Sequence, residues 1–268
     1  MNPVVLEFGS FELHAYTVWV LGSILGGLAL IAWRAYCYDP AAMLRWLDVG
    51  IAGVVAGVIG ARALHVALEW NYFSDHTDEI DKFFLGGMAW HGGLLAAIPV
   101  VIGMARLRRV PLRPWLDALA LAFPAALIGV WMGCRRAGCG YGYEVQTLAD
   151  WPGWMVEELP DVYGFIAPRL DVQIFGVGLS VALGIMVLIL TWGQWLVGLR
   201  LWIVLALAGL GFALLGFLRA DPAHWLIDHR ADQVFDLILF GASTLIGGAL
   251  WLWDRRQIKR MESRLREL

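Results

Sequence analysis

A single histidine stands among four glycines near the start of one long apolar stretch, which reads Gly86-Gly87-Met88-Ala89-Trp90-His91-Gly92-Gly93-Leu94. Glycine lacks a Cβ, so a second backbone or a lipid head group can approach closely there. An imidazole at the mouth of an apolar helix is costly unless it has a polar partner or a task, and its ordinary pKa near neutrality suits proton transfer. Two roles are open for His91: a general base, or a packing residue hydrogen-bonded to a carbonyl.

A second ionisable residue, Arg62, follows Gly60 and Ala61 deep inside another apolar stretch. A guanidinium at that depth costs at least about 2.5–3.5 kcal/mol on insertion scales, so it requires an anion. Arginine can hold a phosphate or a carboxylate through two parallel hydrogen bonds. Two kinds of anion are open for Arg62: the phosphate of a lipid, or a carboxylate of the bundle such as Asp48 or Asp117.

Six further residues, five of them polar, fall near the ends of apolar stretches, at the level expected for His91. They are Tyr16, Arg135, Arg136, Gly142, Gln173 and Arg219. Together with Arg62, Gly92 and Gly93, they predict a pocket that a lipid enters sideways. We expect His91 to act as the base with Tyr16 assisting, and the other residues to bind the substrate. The sequence has no metal-ligand spacing, phosphate loop or serine elbow, so neither a metal nor a cofactor is predicted.

The composition places these residues in a membrane protein. Of 268 residues, 60% are hydrophobic and 16% charged, whereas soluble domains have about 25% charged residues. A soluble protein with this balance would expose large apolar patches. No basic stripe with interleaved aromatic residues indicates nucleic-acid binding. A spanning helix needs about 20 mostly apolar residues, and seven segments qualify: 13–36, 46–69, 86–108, 114–132, 171–195, 199–218 and 233–254.

The distribution of charge predicts the orientation of these helices. Arginines are concentrated in the first and third connections and in the tail, whereas acidic residues dominate the second and fourth connections. Cytoplasmic loops carry the excess of Lys and Arg, so the N-terminus is predicted outside and the C-terminus in the cytoplasm. We predict one all-α integral membrane domain over residues 1–268, with an extracytoplasmic cap at about 135–170 and a basic cytoplasmic tail at about 255–268. Cys134 and Cys139 can pair if they face an oxidising compartment.

In its motifs and their order, the sequence resembles the prolipoprotein diacylglyceryl transferase family. The histidine stretch is similar to the family's Gly-Gly-Met-Ser-Phe-His-Gly-Gly-Leu, Gly60-Ala61-Arg62 to Gly-Gly-Arg, and His14-Ala15-Tyr16 to His-Trp-Tyr. Pro168-Arg169-Leu170-Asp171-Val172-Gln173 resembles Pro-Arg-His-Pro-Ser-Gln, and Arg219 matches an arginine after the sixth helix. The resemblance implies a seven-helix enzyme of the bacterial inner membrane. Its substrates would be phosphatidylglycerol or a similar phospholipid and the lipobox cysteine thiol of a prolipoprotein signal peptide.

The sequence departs from the family pattern at charged positions. Trp131 stands where the family has an arginine, Phe212 or Ala213 where it has a second arginine, and Gly176 where it has a glutamate. Arg135 and Arg136 offer replacement phosphate contacts about one turn away. These departures leave two functions open: transfer of diacylglyceryl to a thiol or a related acceptor, or a lipid-binding or scaffold protein that keeps the fold and the pocket without turnover.

Overall fold

The computed structural model describes residues 4–8, 11–83, 87–226 and 228–266, and in these ranges the chain is mainly helical. Long apolar runs form helices in a membrane because hydrocarbon offers no partner for backbone N–H and C=O groups. Each of the seven predicted segments contains one long helix. The helices are α1 (Ala15–Tyr38), α2 (Met43–Leu68), the one-turn α3 (Trp70–Phe73), α4 (Trp90–Leu107), α5 (Leu112–Ala137), α6 (Val172–Trp192), α7 (Arg200–Gly216) and α8 (Ala231–Arg266).

Six helical segments in the described ranges are long and apolar enough to cross a membrane: Ala15–Tyr38, Pro40–Leu68, Trp90–Leu107, Leu112–Ala137, Val172–Trp192 and Ala231–Met261. The remaining predicted segment corresponds to α7, an apolar helix of 17 residues. The prediction of an all-helical membrane fold is therefore confirmed, whereas the seventh span and the orientation stay predictions. The predicted basic tail continues α8 without a break as far as Arg266.

Three antiparallel β-hairpins in the described ranges lie at the end of the bundle where α1, α4, α6 and α8 begin. The pairs are β1 (Val4–Phe8) with β2 (Phe11–His14), β3 (Val156–Pro160) with β4 (Ile166–Leu170), and β5 (Trp225–Leu226) with β6 (His229–Arg230). The β3–β4 hairpin forms part of the predicted cap. This end of the bundle is called the site end below, and the other is called the opposite end.

Glycines bring α2 and α4 into backbone contact near the site end. A Cβ added to Gly92 would lie 2.4 Å from the carbonyl oxygen of Gly60, and one added to Gly93 would lie 3.0 Å from the carbonyl oxygen of Gly57. Small residues permit such close approach, which supplies the packing that lipid-facing helices cannot obtain from hydrophobic burial. The same approach fixes the position at which α4 begins.

Helix α5 is the most enclosed of the six long segments, with half of its apolar stretch buried. Helix α1 lies along one side of α5, and α6 and α7 lie along another. Helix α4 packs along α2, whereas α8 packs along α7. A contact between α4 and α8 at the site end therefore joins two different halves of the bundle.

Ion pairs connect neighbouring elements at the opposite end. Arg108 Nη2 lies 2.9 Å from Asp48 Oδ2, and Arg113 Nη1 lies 2.9 Å from Asp254 Oδ1. Asp117 accepts a hydrogen bond from the Gly198 N–H at 2.7 Å and lies 3.7 Å from Arg200 Nη1. The arginine-rich connections named in the orientation prediction are thus held to the helix ends at one side of the bundle.

Candidate active site

The buried histidine of the glycine-rich stretch is paired with a carboxylate from the last helix. His91 is the second residue of α4, and its Nε2 lies 2.9 Å from Asp236 Oδ1. Both residues are buried, with 9% and 3% of their surfaces exposed. The rings of Trp90 and Phe235 lie 4.2 and 5.2 Å from the imidazole. A carboxylate in this position fixes the tautomer of the imidazole and stabilises its protonated form. The alternative named a carbonyl as the hydrogen-bond partner of His91. The partner of Nε2 is a carboxylate instead.

Asp236 was not among the residues singled out from the sequence. It falls within the predicted segment 233–254, where an ionisable side chain at membrane depth is as costly as the arginine at position 62. That cost is the signal that could have identified it. Its position opposite His91 could not have been read from the sequence, because the two residues are 145 positions apart.

An ionic cluster of two arginines and two aspartates lies next to the histidine pair. Arg219 donates to Asp221 at 2.8 and 2.6 Å, and its Nη1 lies 2.8 Å from Asp232. Arg230, only 5% exposed and not singled out from the sequence, donates to Asp232 at 3.0 and 3.1 Å and to Asp221 at 3.3 Å. Asp232 precedes Asp236 by one turn of α8. The cluster and the histidine pair therefore form one polar region.

The charge of Arg219 is secured by its neighbours. Burial disfavours the charged guanidinium, but its hydrogen bonds to Asp221 and the negative charges of Asp221, Asp232 and Asp236 outweigh this cost and raise the pKa of Arg219. Arg219 is thus a permanent cation beside the histidine pair. A phosphate that binds there has to compete with two carboxylates that already hold the guanidinium.

Arg62 holds the loop that leads into α4. Its guanidinium donates to the carbonyl oxygens of Glu79 at 2.6 Å, Ile80 at 3.0 Å and Gly87 at 3.2 Å. It also lies 5.1 Å from the ring centre of Phe73. These carbonyls offset part of the burial cost, and they fix the backbone just before His91.

The alternative that Asp48 or Asp117 neutralises Arg62 is wrong, because those two carboxylates pair with Arg108 and Arg200 at the opposite end. Gly87 has a left-handed φ of 71°, and an added Cβ would lie 2.8 Å from Arg62 Nη1. Only glycine fits this approach. Gly86 of the same motif lies outside the described residues.

Arg135 and Gln173 tie the end of α5 to the start of α6. Arg135 Nε donates to Asp171 Oδ2 at 2.8 Å, and Nη2 is hydrogen-bonded to Glu157. Asp171 in turn caps α6 by accepting from the Ile174 N–H at 3.0 Å. Gln173 is buried and donates to the carbonyl oxygen of Cys139 at 3.0 Å, whereas its Oε1 has no hydrogen-bond partner among the described residues. Gln173 therefore ties α6 to the turn after α5 through its amide N–H.

The remaining predicted site residues have varied surroundings. Arg136 is exposed. Gly142 forms a β-bridge with Arg219, and its N–H donates to the Leu170 carbonyl at 3.1 Å. Tyr16 lies at the interface of α1 and α5, where an added Cβ on Gly133 would be 3.1 Å from its ring. The role of Tyr16 as an assistant of His91 stays a prediction, as does a substrate contact for Gly92 and Gly93, whose described contacts are with α2.

Cys134 and Cys139 form a disulfide. It closes the turn at the end of α5, where Gly138 has a left-handed φ of 72°. The pairing left open by the sequence is therefore present. The side of the membrane that this turn faces stays a prediction.

The family model described as "Prolipoprotein diacylglyceryl transferase" matches residues 3–253 of the chain. The chain belongs to the prolipoprotein diacylglyceryl transferase family. Relatives named phosphatidylglycerol–prolipoprotein diacylglyceryl transferase include one from Bacillus velezensis, which is 32% identical over 137 residues, 50% of this chain and 48% of the relative. A relative of the same name from Lactobacillus johnsonii is 24% identical over 269 residues, 97% of this chain and 92% of the relative. The chain thus spans about half of the first relative's length and nearly all of the second.

The three departures from the pattern of this diacylglyceryl transferase family meet in one place. A Cβ added to Gly176 would lie 2.2 Å from Trp131 Cε2, so the indole occupies the space beside the glycine. The ring of Phe212 lies 5.8 Å from Trp131 and 5.7 Å from Trp90, which in turn contacts His91. Charged side chains expected from the family pattern are replaced together by a packed aromatic cluster that borders the histidine.

Proposed function

We propose that this protein transfers diacylglyceryl from phosphatidylglycerol to the thiol of a lipobox cysteine, in lipoprotein biosynthesis. The observation that supports it best is the buried pair of His91 and Asp236, which stands in the longest motif shared with the family. A general base whose protonated form is stabilised by a carboxylate is what deprotonation of a thiol requires. Membership of the family is the reason for proposing phosphatidylglycerol as the diacylglyceryl donor and the lipobox thiol as the acceptor.

In the proposed reaction, the histidine pair removes the proton of the acceptor thiol. With the Nε2–H donating to Asp236, the lone pair of His91 is on Nδ1, and this atom accepts the proton of the acceptor thiol. The thiolate attacks the glyceryl carbon that bears the phosphate, forming a C–S bond while the C–O bond to phosphate breaks. Glycerol phosphate leaves with the electron pair of that bond. The proton held by His91 is afterwards released to the leaving group or to water.

The leaving phosphate requires positive charge, and stabilisation of such developing charge is commonly the largest single contribution to a rate. Arg219 is close enough to Asp236 for their charges to interact, and it is bound to Asp221 and Asp232. In our proposal the phosphate exchanges with one of these carboxylates. Arg62, Arg135, Arg136, Gly142 and Gln173 remain proposed contacts of the lipid head group.

The proposed location is the bacterial inner membrane, with seven spans and the site end facing outward. The ion pairs of Arg108, Arg113 and Arg200 at the opposite end support this orientation. The disulfide at the site end supports it as well. A cysteine-accessibility map with a membrane-impermeant maleimide in intact cells tests it: single cysteines placed at the site end should react, and those placed at the opposite end should not.

The activity is tested in proteoliposomes that contain phosphatidylglycerol and a lipobox peptide. His91→Ala should abolish thioether formation, whereas His76→Ala, which changes an exposed histidine stacked on Tyr72, should leave it intact. Full transfer by His91→Ala would exclude His91 as the base. In cells depleted of their own diacylglyceryl transferase, the wild-type gene should restore lipoprotein maturation. Failure to restore it while phospholipid co-purifies would favour a lipid-binding protein without turnover.

A further inference from the structure

A second lipid-facing feature lies away from the histidine pair, between α7 and α8. It is a groove of about 410 Å³ that runs from Leu207 and Phe240 at mid-bundle to Leu199 and Trp251 at the opposite end. The lining residues of α8 recur every three to four positions, which is the period of one helix face. The α8 residues that line the groove therefore lie on one face of that helix.

The chemistry of the groove suits hydrocarbon. No charged side chain is among its described lining residues. The hydroxyl of Thr244 donates back to the Phe240 carbonyl at 2.7 Å, so it requires no external partner. Gly248 has no side chain to narrow the groove, and an added Cβ there would meet no atom within 4 Å. A water-filled channel would be unfavourable in such surroundings.

The length of the groove matches one leaflet of a bilayer. The stretch of α8 from Phe240 to Trp251 has a rise of about 16 Å at the usual 1.5 Å per residue. The hydrocarbon core of a bilayer is about 30 Å thick, so one leaflet contributes about half of that. An acyl chain whose head group lies at the Trp251 end would thus reach the middle of the bundle.

Positive charge is concentrated at the Trp251 end. The guanidinium of Arg255 lies 4.6 Å from the ring centre of Trp251. Arg113 donates to both carboxylate oxygens of Asp254 at 2.9 and 3.0 Å, which fixes α8 against the start of α5. Arg256 is exposed one residue further on. Basic residues at the membrane surface attract anionic head groups, and Trp at this level anchors the interface.

We propose that the groove between α7 and α8 binds one acyl chain of an anionic glycerophospholipid, with the phosphate at Arg255 and Arg256. This site lies in the leaflet at the opposite end from His91 and does not depend on the transfer reaction. Its occupant holds α7 against α8, and α8 carries Asp236. The lipid therefore stabilises the helix that positions the carboxylate without contacting the reacting atoms.

The experiment uses the full-length protein in phosphatidylcholine nanodiscs. The probe is phosphatidic acid with a diazirine midway along one acyl chain, and phosphatidylcholine with the same diazirine is the comparison. After illumination, labelled peptides are quantified by mass spectrometry. Label should be concentrated in residues 199–207 and 240–251, should be higher for phosphatidic acid, and should be displaced by unlabelled phosphatidic acid but not by phosphatidylcholine.

Variants separate this site from general lipid contact. Gly248→Trp fills the groove and should lower labelling there about tenfold, the factor expected when two or so methylene groups are excluded from an apolar site. Gly241→Trp is the matched control on the same helix, because an added Cβ there also meets no atom within 4 Å and Gly241 does not line the groove. The double variant R255E/R256E should abolish the preference for phosphatidic acid. His91→Gln should leave labelling unchanged.

Several outcomes would overturn the proposal. One is label spread evenly over the lipid-facing helices of the wild-type protein, and another is labelling that unlabelled phosphatidic acid does not displace. A third is disulfide-linked dimers of Gly248→Cys with little lipid label, which would mean that a second copy of the chain occupies the groove. Displacement of the label by unlabelled phosphatidic acid is measured on the wild-type protein, so it tests the proposal even if a variant fails to fold.

Discussion

The indole of Trp131 fills the space that a side chain at Gly176 would need, because an added Cβ there would lie 2.2 Å from Cε2. These two residues stand where the family pattern has an arginine and a glutamate. Losing both charges together leaves neither an unpaired cation nor an unpaired carboxylate in the bundle, either of which would be costly at membrane depth. The departures at these positions are thus physically coupled.

The first prediction concerns this coupling. Gly176→Ala should lower the free energy of unfolding by about 1–3 kcal/mol, as expected for overpacking. Trp131→Ala should cost about 3–5 kcal/mol through the cavity it leaves. The double variant should be more stable than the sum of the two effects predicts, by about 0.5–3 kcal/mol. Thermal unfolding in detergent measures all three.

Gly178→Ala provides the matched control on α6, since its added Cβ meets no atom within 4 Å. It should be neutral or slightly stabilising, because alanine is the better helix former. Additive effects of the two single changes at positions 131 and 176 would contradict the coupling.

The second prediction concerns Asp236. Asp236→Asn removes the charge that stabilises protonated His91. The new amide N–H can also donate to Nε2, which would stabilise the wrong tautomer of the imidazole. We expect kcat to fall about 10²–10³-fold, a range typical for loss of general acid–base catalysis, with KM for phosphatidylglycerol unchanged. Steady-state kinetics in proteoliposomes measures both. The exposed Asp228, changed to Asn, is the control. A loss confined to KM would show that Asp236 binds the lipid instead of positioning the histidine.

The third prediction concerns the backbone contact of α2 with α4. Gly92→Ala should destabilise the protein by about 1–3 kcal/mol, because its added Cβ would lie 2.4 Å from the Gly60 carbonyl oxygen. Gly103→Ala, on the same helix with no atom within 4 Å of the added Cβ, should be neutral or gain up to about 1 kcal/mol. The melting temperatures of the two variants in the same detergent decide this. Equal melting temperatures would show that α4 shifts to accommodate the methyl group.

The fourth prediction concerns the competition for Arg219. Asp221→Asn removes one of the carboxylates that hold the guanidinium, so KM for phosphatidylglycerol should fall about fivefold, the factor for roughly 1 kcal/mol of added interaction. Stability should fall by about 1–3 kcal/mol at the same time. The acidic neighbours raise the pKa of Arg219, so its charge persists at neutral and alkaline pH, and the effect on KM should not vary between pH 6 and pH 9.

Titration of KM over that range with both proteins is the measurement. An unchanged or higher KM in Asp221→Asn would show that Arg219 holds the β5–β6 hairpin in place and does not bind the donor phosphate.

The sequence by itself determined the class of the protein. Apolar runs of about 20 residues can satisfy their backbone groups in a membrane only as helices, so the long helices follow from composition and length. The stretch around His91 and the motif at Arg62 identified the family before any contact was known. Apolar runs and short motifs are formed by residues close together in the chain, so they can be recognised without knowing the fold.

Only the tertiary structure decided which charges meet. His91 and Asp236 are 145 positions apart, and they are paired because α4 and α8 both begin at the site end of the bundle. Arg62 donates to the loop carbonyls of Glu79, Ile80 and Gly87. Arg219 already faces two aspartates. Side-chain pairing between helices depends on how the helices rotate and pack against each other, and glycine contacts such as Gly60 with Gly92 set that packing. The hydropathy of a segment is the same however the helix is rotated. Hydropathy therefore predicts the helices but not which side chains pair between them.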